Sequence, residues 1–171
     1  MQLSIRQALP QDLDSVSDIL REAARWLEES GIALWRDNEL LPESIAADVH
    51  SGLYFLAECD SEPAGTISYQ LQDKLFWPDI PQEDSAFVHR LAVRRRFAGG
   101  EVSSALLLWA IARTHGLGRR YLRLDCEASR PRVRAIYERV GFRFHSNKQV
   151  GRYFVARYEF DVLDVSPPTS T

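Results

Sequence analysis

The chain has 171 residues, of which 45% are hydrophobic and 11% aromatic, and its formal net charge is −3. It is too apolar for an intrinsically disordered chain, and its longest uncharged apolar run, residues 105–112, is far too short to cross a bilayer. Residues 1–10 lack a secretory-signal pattern, and Cys59 and Cys126 form neither a disulfide framework nor a CxxC pair, so we expect a reduced cytoplasmic protein.

The charges are divided unevenly along the chain. Residues 1–84 carry 5 Lys and Arg against 17 Asp and Glu, whereas residues 85–160 carry 16 against 5. A basic second half suits an anionic ligand, and an acidic first half suits a cationic one. The alternative is that the two halves neutralise each other within one fold. Nucleic acid is an unlikely partner, because the basic half has no evident zinc-finger spacing or RNA-recognition motif.

Periodicity and turn residues predict the elements of the first half. Leu3 and Ile5 alternate with polar residues, and an apolar stripe with helical spacing begins at Leu13. The predicted elements are a strand at residues 2–8, a helix from residues 10–12 that ends at Gly31, an irregular stretch at 32–41, a helix at 42–50, and strands at 53–59 and 64–71 joined by a turn at 60–63.

The second half has a similar mixture of strands and helices. The predicted elements are a loop at residues 73–84, a strand at 85–93, a loop at 94–100, a helix at 101–115, a strand at 121–125, a helix at 130–140, and strands at 142–150 and 153–160. Ser129 is expected to cap the helix at 130–140, and Gly141 to stop it. This order predicts a single α+β domain over residues 1–163, followed by a tail at 164–171 in which residues 166–171 are disordered.

One segment of the second half has the features of an anion site. A strand ending in Leu91-Ala92-Val93 runs into a loop with Gly99 and Gly100, and the loop opens a helix. Loop amides and a helix N-terminus together bind anions, and glycine lets a phosphate approach the backbone closely. Taken alone, the segment is more typical of a plain strand-to-helix turn.

A downstream segment adds to this pattern. Asp125-Cys126 and Ser129 precede a helix that ends in the run AIYERVGF at residues 135–142. With both segments present, the chain resembles the GNAT acetyltransferase superfamily over roughly residues 2–160. The resemblance implies a mixed, mostly antiparallel sheet flanked by helices, with splayed central strands, and acetyl-CoA as the cofactor. Dimers are common in such families, so a homodimer is one expected state.

The resemblance also implies roles for particular residues. The strand end would pair with the pantetheine arm, residues 98–104 would hold the pyrophosphate, and the arginines at 94–96 would contact the outer phosphates. The predicted cofactor-binding residues are Leu91, Ala92, Val93, Arg94, Arg96, Ala98, Gly99, Gly100, Glu101, Val102, Ser103, Ser104 and Arg130. Tyr137 would protonate the leaving thiolate, with a packing role in the core as the alternative.

The loop departs from the family pattern of Gln or Arg, two residues, Gly, one residue, and Gly or Ala. The three marked positions fall on Ala98, Glu101 and Ser103, none of which matches. A second register that starts at Arg96 recovers Gly99 and then fails at Glu101. We prefer the first register, because it turns Val102 inward at helical spacing with Leu106. The Glu101 carboxylate would repel a pyrophosphate unless it points to solvent.

The remaining candidates are a further cofactor residue, the base, a cysteine nucleophile and metal ligands. Arg130 stands where the family usually has Asn. His89 is the candidate base, since a histidine titrates near neutrality, and the alternative is a surface or core histidine. Cys126 has no identifiable His or Asn partner and is expected to be structural. The histidines at 50, 115 and 145 lack metal-ligand spacing, so no metal is predicted.

The acceptor side of such a family comes from segments that here carry aromatic and acidic residues. Such residues suit a cationic amine. The predicted acceptor residues are Trp35, Asp37, Tyr69 and Trp77, whereas Trp26 is expected to pack in the core. The predicted function is direct transfer of an acetyl group from acetyl-CoA to a primary amine of a small molecule or peptide. The alternative is a catalytically weak or inactive CoA-binding module of the same fold.

Overall fold

The computed structural model describes residues 1–164, so the predicted disordered tail at 166–171 lies outside the described residues. The chain groups into two compact units. The first unit comprises Met1–Tyr69 and Val88–Trp109, and the second comprises Gln70–Phe87 and Ala110–Thr171. Strand β4 (Ser85–Val93) and helix α4 (Val102–Gly116) contribute residues to both units.

Three antiparallel strands form the sheet at the start of the first unit. They are β1 (Leu3–Gln7), β2 (Tyr54–Cys59) and β3 (Glu62–Gln70). Leu3 pairs with Cys59 in β2, and Tyr54 pairs with Ser68 in β3. The β2–β3 turn is tight, because Asp60 and Ser61 both have positive φ. The turn in the structure is therefore shorter than the predicted turn at 60–63, and β3 begins at Glu62.

Helices of the first unit cover its core. They are α1 (Leu13–Glu29), α2 (Asp37–Leu40) and α3 (Pro42–His50). Val16, Ile19 and Leu20 of α1 are fully buried in one cluster with Ile45 and Leu56. Burying a side chain of this size contributes roughly 1.5–3 kcal/mol. The predicted spacing of the α1 stripe is thus confirmed, whereas α2 was expected to be part of an irregular stretch.

The second unit contains the remaining strands and one complete helix. They are β5 (Tyr121–Glu127), α5 (Pro131–Val140), β6 (Arg143–Val150) and β7 (Tyr153–Asp161). β7 pairs antiparallel with both β5 and β6. β5 pairs parallel with β4 only over Tyr121–Arg123 and Ser85–Phe87, which is the short contact expected of splayed central strands.

Backbone hydrogen bonds give a seven-stranded sheet in the order β1-β2-β3-β4-β5-β7-β6. The predicted α+β class, with a mixed and mostly antiparallel sheet flanked by helices, is confirmed. One local prediction is wrong: Arg130, not Ser129, is the N-cap residue of α5, and it makes no side-chain cap hydrogen bond. Among residues 1–164, no helix combines the length and apolar character needed to span a membrane.

Candidate functional site

The second half of β4 has a left-handed backbone at Arg90. Its φ is 52°, a value that costs a residue with a side chain roughly 1–2 kcal/mol. The Arg90 guanidinium donates a hydrogen bond to the buried Tyr54 hydroxyl over 3.1 Å. From His89 to Leu91 the strand is half-buried, after four fully buried residues. The half-buried part of the strand therefore begins at His89, one residue before the strained Arg90, and continues into the predicted pantetheine-pairing segment.

The loop after β4 is short and leaves its backbone accessible at the glycines. A single 3-10 turn covers Arg95–Phe97, and Ala98 follows it with an exposed side chain. Gly99 has a φ of 78°, and a Cβ added there would meet no atom within 4 Å. An L side chain rarely adopts this conformation, whereas glycine adopts it readily. A phosphate group can therefore approach the loop backbone at Gly99.

Helix α4 begins directly after this loop. The Glu101 carbonyl accepts a hydrogen bond from the Ala105 amide over 2.9 Å, so Glu101 is the residue that precedes the first helical turn. The first amides of a helix have no intrahelical acceptor, and together with the helix dipole they favour an anion. Ser103 and Ser104 are half-buried in this turn, whereas Glu101 is exposed. Exposure to solvent weakens the repulsion between its carboxylate and a bound phosphate.

The inward face of α4 agrees with the preferred register. Val102 is 1% exposed and Leu106 is 0% exposed, as that register requires. Both lie against Gly65 of β3: a Cβ at Gly65 would stand 2.9 Å from Val102 Cγ1 and 3.0 Å from the Ala92 carbonyl oxygen. Only a residue without a side chain fits at this distance. Gly65 therefore sets how closely the start of α4 packs on the end of β4.

The three arginines predicted to contact phosphate are engaged by groups of the first unit. Arg94 Nε donates to the Pro63 carbonyl over 3.0 Å, and its Nη1 lies 4.0 Å from Glu22 Oε2. Arg95 stacks on Trp26, with its guanidinium carbon 4.1 Å from the ring centroid. These partners come from α1 and from the β2–β3 hairpin.

The third arginine of the run, Arg96, also has an acidic partner, and a cavity lies next to it. Arg96 forms an ion pair with Glu62, the first residue of β3. A cavity of about 360 Å³ lies beside these groups. Its lining residues are Ser15, Glu22, Glu62, Pro63, Arg94 and Arg96. The cavity thus holds charges of both signs.

Tyr137 of α5 is buried in the second unit, with 6% of its surface exposed. Its ring contacts Tyr158 at a centroid distance of 5.7 Å and Phe142 at 6.1 Å. Burial raises the pKa of the Tyr137 hydroxyl well above its ordinary value. The phenol is therefore protonated at neutral pH, which is the state that can donate a proton. Its aromatic contacts are equally those of a core residue.

Two other residues predicted near the chemistry lie at the start of α5 and the end of β5. Arg130, the N-cap residue of α5, is half-buried. Cys126 of β5 is a free, buried cysteine, and burial raises the pKa of its thiol to about 11. A thiol with this pKa is almost entirely protonated at neutral pH and is a poor nucleophile. This agrees with the expected structural role of Cys126.

The acceptor residues predicted in the first unit have different environments. Trp35 is partly buried against the core cluster. Asp37 is largely exposed and forms an ion pair with Arg21 at 2.9 Å. Tyr69 is only 4% exposed, and its ring packs edge-on against Phe55 and Trp109. Of these residues, Asp37 has the most accessible side chain.

The fourth predicted acceptor residue, Trp77, is completely buried in the second unit. The guanidinium carbons of Arg157 and Arg123 lie 4.5 Å and 5.0 Å from the centre of its ring. Arg157 also forms a bidentate ion pair with Asp79 over 2.7 Å and 3.0 Å. This packing is that of a core residue, and it leaves no Trp77 surface for an acceptor in this conformation.

Sequence reasoning overlooked two features of the first unit. Arg90 gave no signal, because a positive φ in a strand depends on tertiary contacts such as the bond to Tyr54. Gly65 gave a usable signal, because a glycine inside a strand often marks a close backbone approach. The predicted base, His89, lies on β4 immediately before Arg90 and is half-buried, so its role stays a prediction.

Comparison with known proteins agrees with this geometry. The model of the acetyltransferase (GNAT) family matches residues 13–142. The uncharacterized N-acetyltransferase YesJ of Bacillus subtilis (strain 168) is 31% identical over 145 residues, which span 80% of this chain and 79% of YesJ.

Solved structures resemble the chain over nearly its whole length. A GNAT-family acetyltransferase from Listeria monocytogenes is 24% identical with a TM-score of 0.76, and the match covers 93% of this chain and 94% of that one. YncA from Salmonella typhimurium, solved with its cofactor acetyl-CoA, is 15% identical with a TM-score of 0.74, and the match covers 100% of each chain. At these identities the solved structures support the fold.

Proposed function

Because the chain belongs to the acetyltransferase (GNAT) family, we propose that it moves an acetyl group from acetyl-CoA directly to a primary amine. The choice of acetyl-CoA as the cosubstrate rests on the segment between the strained Arg90 and the first turn of α4. It offers open backbone at Gly99 and the unpaired amides of a helix start. YncA, a structural neighbour, was solved with acetyl-CoA bound.

The residues of this segment fit a pyrophosphate and a pantetheine arm. We assign the phosphates to the amides of the loop and of the first turn of α4, with the Ser103 and Ser104 hydroxyls as further donors. We assign the pantetheine amides to backbone groups of Leu91, Ala92 and Val93. Arg130 is a further cationic contact in the proposal. Bound acetyl-CoA supplies a thioester whose carbonyl is attacked by the amine.

The proposed proton transfers use His89 and Tyr137. His89 takes the proton of the attacking amine, directly or through water. As the C–N bond forms and the C–S bond breaks, the Tyr137 hydroxyl gives its proton to the departing thiolate. The Tyr137 hydroxyl is protonated at neutral pH, as this role requires, and burial makes it a weaker acid than a free phenol.

The acceptor in this proposal is a cationic amine on a small molecule or peptide. Residues 1–84 carry 17 carboxylates and only 5 basic side chains, which favours a cation electrostatically. Asp37 is the acidic acceptor residue with the most accessible side chain. Both cysteines are free and buried, which fits the reducing cytoplasm that we include in the proposal.

The first experiment is a calorimetric titration of the protein with acetyl-CoA, with desulfo-CoA as the control. We expect saturable binding of both, because loop and helix amides recognise phosphates that the two compounds share. A second assay measures release of the CoA thiol in the presence of diamines, amino sugars, amino acids and short peptides. At least one class is expected to release thiol above the rate without acceptor.

Each outcome has a definite reading. Binding with no release for any primary amine would favour a CoA-binding module over an enzyme. Absence of binding would contradict the proposed cosubstrate, and it would point to Ala98, Glu101 and Arg130 as the departures responsible.

A further inference from the structure

The arginine run at the end of β4 has a specific set of partners in the first unit. Arg94 is anchored at the Pro63 carbonyl and faces Glu22. The Arg95 amide donates to Glu22 Oε2 over 3.1 Å, so Glu22 holds the backbone of the run as well as a side chain. Arg96 is paired with Glu62. These contacts connect the start of the loop to α1 on one side and to the β2–β3 hairpin on the other.

We propose that Arg94, Arg95, Arg96, Glu22 and Glu62 form a latch that positions the cofactor loop, and that these arginines do not bind the phosphates of the cosubstrate. The inference rests on the proposed cosubstrate site, and it assigns the arginines a different role from the phosphate contacts expected from the sequence. We refer to these five residues as the arginine latch.

Electrostatics in the cavity support the latch over a phosphate site. The cavity is lined by the carboxylates of Glu22 and Glu62 as well as by Arg94 and Arg96. A phosphate placed there would face both carboxylates at short range, and like charges at short range repel each other. Moving the arginines out to a phosphate would instead remove the cationic partners of Glu22 and Glu62.

The position of the latch explains how it can act on the loop. It fixes residues 94–96, whereas the phosphate-facing backbone lies only three to seven residues further along, at Gly99–Ser103. Arg94 is largely buried, with 24% of its side chain exposed, and its amide also donates to the Ala64 carbonyl over 2.8 Å. The loop therefore starts from a fixed point, and its glycines adopt their conformation relative to that point.

The two roles predict opposite effects for the same substitution. If the arginines bound phosphate, Glu62→Gln would free Arg96 and remove a repelling carboxylate, so the KM for acetyl-CoA would fall. If the latch positions the loop, Glu62→Gln and Arg96→Gln both raise this KM by roughly twofold to fivefold, the range of an exposed ion pair. The KM for the amine should stay unchanged in both variants.

The charge-swapped variant Glu62→Arg/Arg96→Glu tests the pair directly. It should restore the KM for acetyl-CoA towards that of the unmodified protein, because the ion pair is re-formed with its ends exchanged. Glu28→Gln, an equal charge change at an exposed position of α1, is the matched control and should have no effect. A lower KM in Glu62→Gln, or no change in either single variant, would overturn the latch.

A ligand-free measurement separates this inference from the proposed function. Amide hydrogen exchange at Gly99 to Val102 should be faster in Glu62→Gln and Arg96→Gln than in Glu28→Gln, and normal in the charge-swapped variant. Unchanged exchange in the single variants would refute the latch even if acetyl-CoA binds. Faster exchange in a protein that does not bind acetyl-CoA would instead refute the proposed function and leave the latch as the determinant of the loop conformation.

Discussion

Glu101 is the largest departure of the chain from the anion-binding loop pattern of its family. Its carbonyl begins α4, its side chain is exposed, and its negative charge lies at the helix end that favours anions. The same charge therefore has two opposite effects. It stabilises the helix through the dipole, and under the proposed function it would compete with a phosphate for that end of the helix.

We predict that Glu101→Gln strengthens acetyl-CoA binding and slightly weakens the fold. A charge at an exposed helix terminus is worth about 0.3–1 kcal/mol, so Kd should fall by roughly twofold to fivefold. Calorimetry gives the affinity, and urea unfolding without ligand gives the small loss of stability. Weaker binding in this variant would mean that Glu101 does not face the phosphates.

Tyr137 supports a second prediction at the residue scale, because its hydroxyl is the proposed proton donor. Tyr137→Phe keeps the buried ring and its contacts with Phe142 and Tyr158. The loss of a general acid should lower kcat by about 100-fold, with little change in either KM. Steady-state kinetics measures this, and Tyr153→Phe on β7 is the control. An unchanged kcat would assign Tyr137 to core packing alone.

At the scale of elements, the start of α4 lies against β3 and β4 at a distance that only glycine allows. Gly65→Ala would bring a methyl group to 2.9 Å from Val102 Cγ1 and 3.0 Å from the Ala92 carbonyl. We predict a loss of roughly 1–3 kcal/mol in the free energy of unfolding, together with a higher KM for acetyl-CoA, because the helix start must move. Urea unfolding and steady-state kinetics test both effects.

Gly100→Ala is the matched control for this prediction. A Cβ at Gly100 would make an ordinary contact of 3.4 Å with the Phe97 carbonyl, and its backbone has no positive φ. Its stability should therefore change little. Equal losses in the two variants would show that Gly65 is not a packing constraint on α4.

The loop between β3 and β4 is joined to β7 by the ion pair of Asp79 and Arg157. The hydrogen bonds from the buried Arg157 lower the pKa of Asp79 from 3.8 to about 2. A carboxyl with a lowered pKa contributes stability that is fully present above its ordinary pKa and is lost as the pH falls through the lowered one. The contribution should therefore disappear between about pH 4 and pH 2.

Asp79→Asn should accordingly be less stable than the unmodified protein at neutral pH. We expect a loss of about 1–2 kcal/mol, since Asp79 is half-exposed and Arg157 keeps its bonds to Ser146 and the Phe76 carbonyl. Thermal unfolding as a function of pH should show the two proteins converging in acid. Asp164→Asn, at an exposed pair, is the control, and a constant difference at all pH values would contradict the prediction.

For the whole molecule, ion pairs neutralise part of the uneven charge distribution along the chain. Arg96 with Glu62, Arg94 with Glu22, and Arg157 with Asp79 each join a basic residue of the second half to an acidic residue of the first. Neutralisation within the fold, the alternative left open by the sequence, therefore accounts for part of the pattern. The basic half is less available to a large anion such as nucleic acid than its composition suggests.

Binding of acetyl-CoA should stabilise the folded chain as a whole. A ligand that binds only the native state adds about 2.7 kcal/mol when its concentration is about 100 times its Kd. Thermal unfolding should therefore show a higher midpoint with acetyl-CoA and with desulfo-CoA, and a smaller increase with pantetheine, which lacks the phosphates. An equal increase with pantetheine would contradict phosphate binding at the start of α4.

The sequence by itself determined the order of the elements, the α+β class and the inward face of α4. Val102 and Leu106 could be assigned to the core because helical periodicity is a local property of neighbouring residues. The family resemblance was likewise carried by short runs at residues 91–107 and 135–142. The boundaries of β4 and α3 coincide with the predicted ones, and those of the other predicted strands and helices differ from the structure by only a few residues.

Only the tertiary structure decided the partners of the charged and aromatic side chains. Trp77 was expected in an acceptor site and is completely buried, with two arginine guanidinium groups against its ring. The arginines at 94–96 face carboxylates of the first half. A charge pattern gives the sign of a ligand but not the direction of a side chain. That direction depends on groups distant in sequence, because the chain brings Glu62 beside Arg96 only when the sheet and α4 have packed.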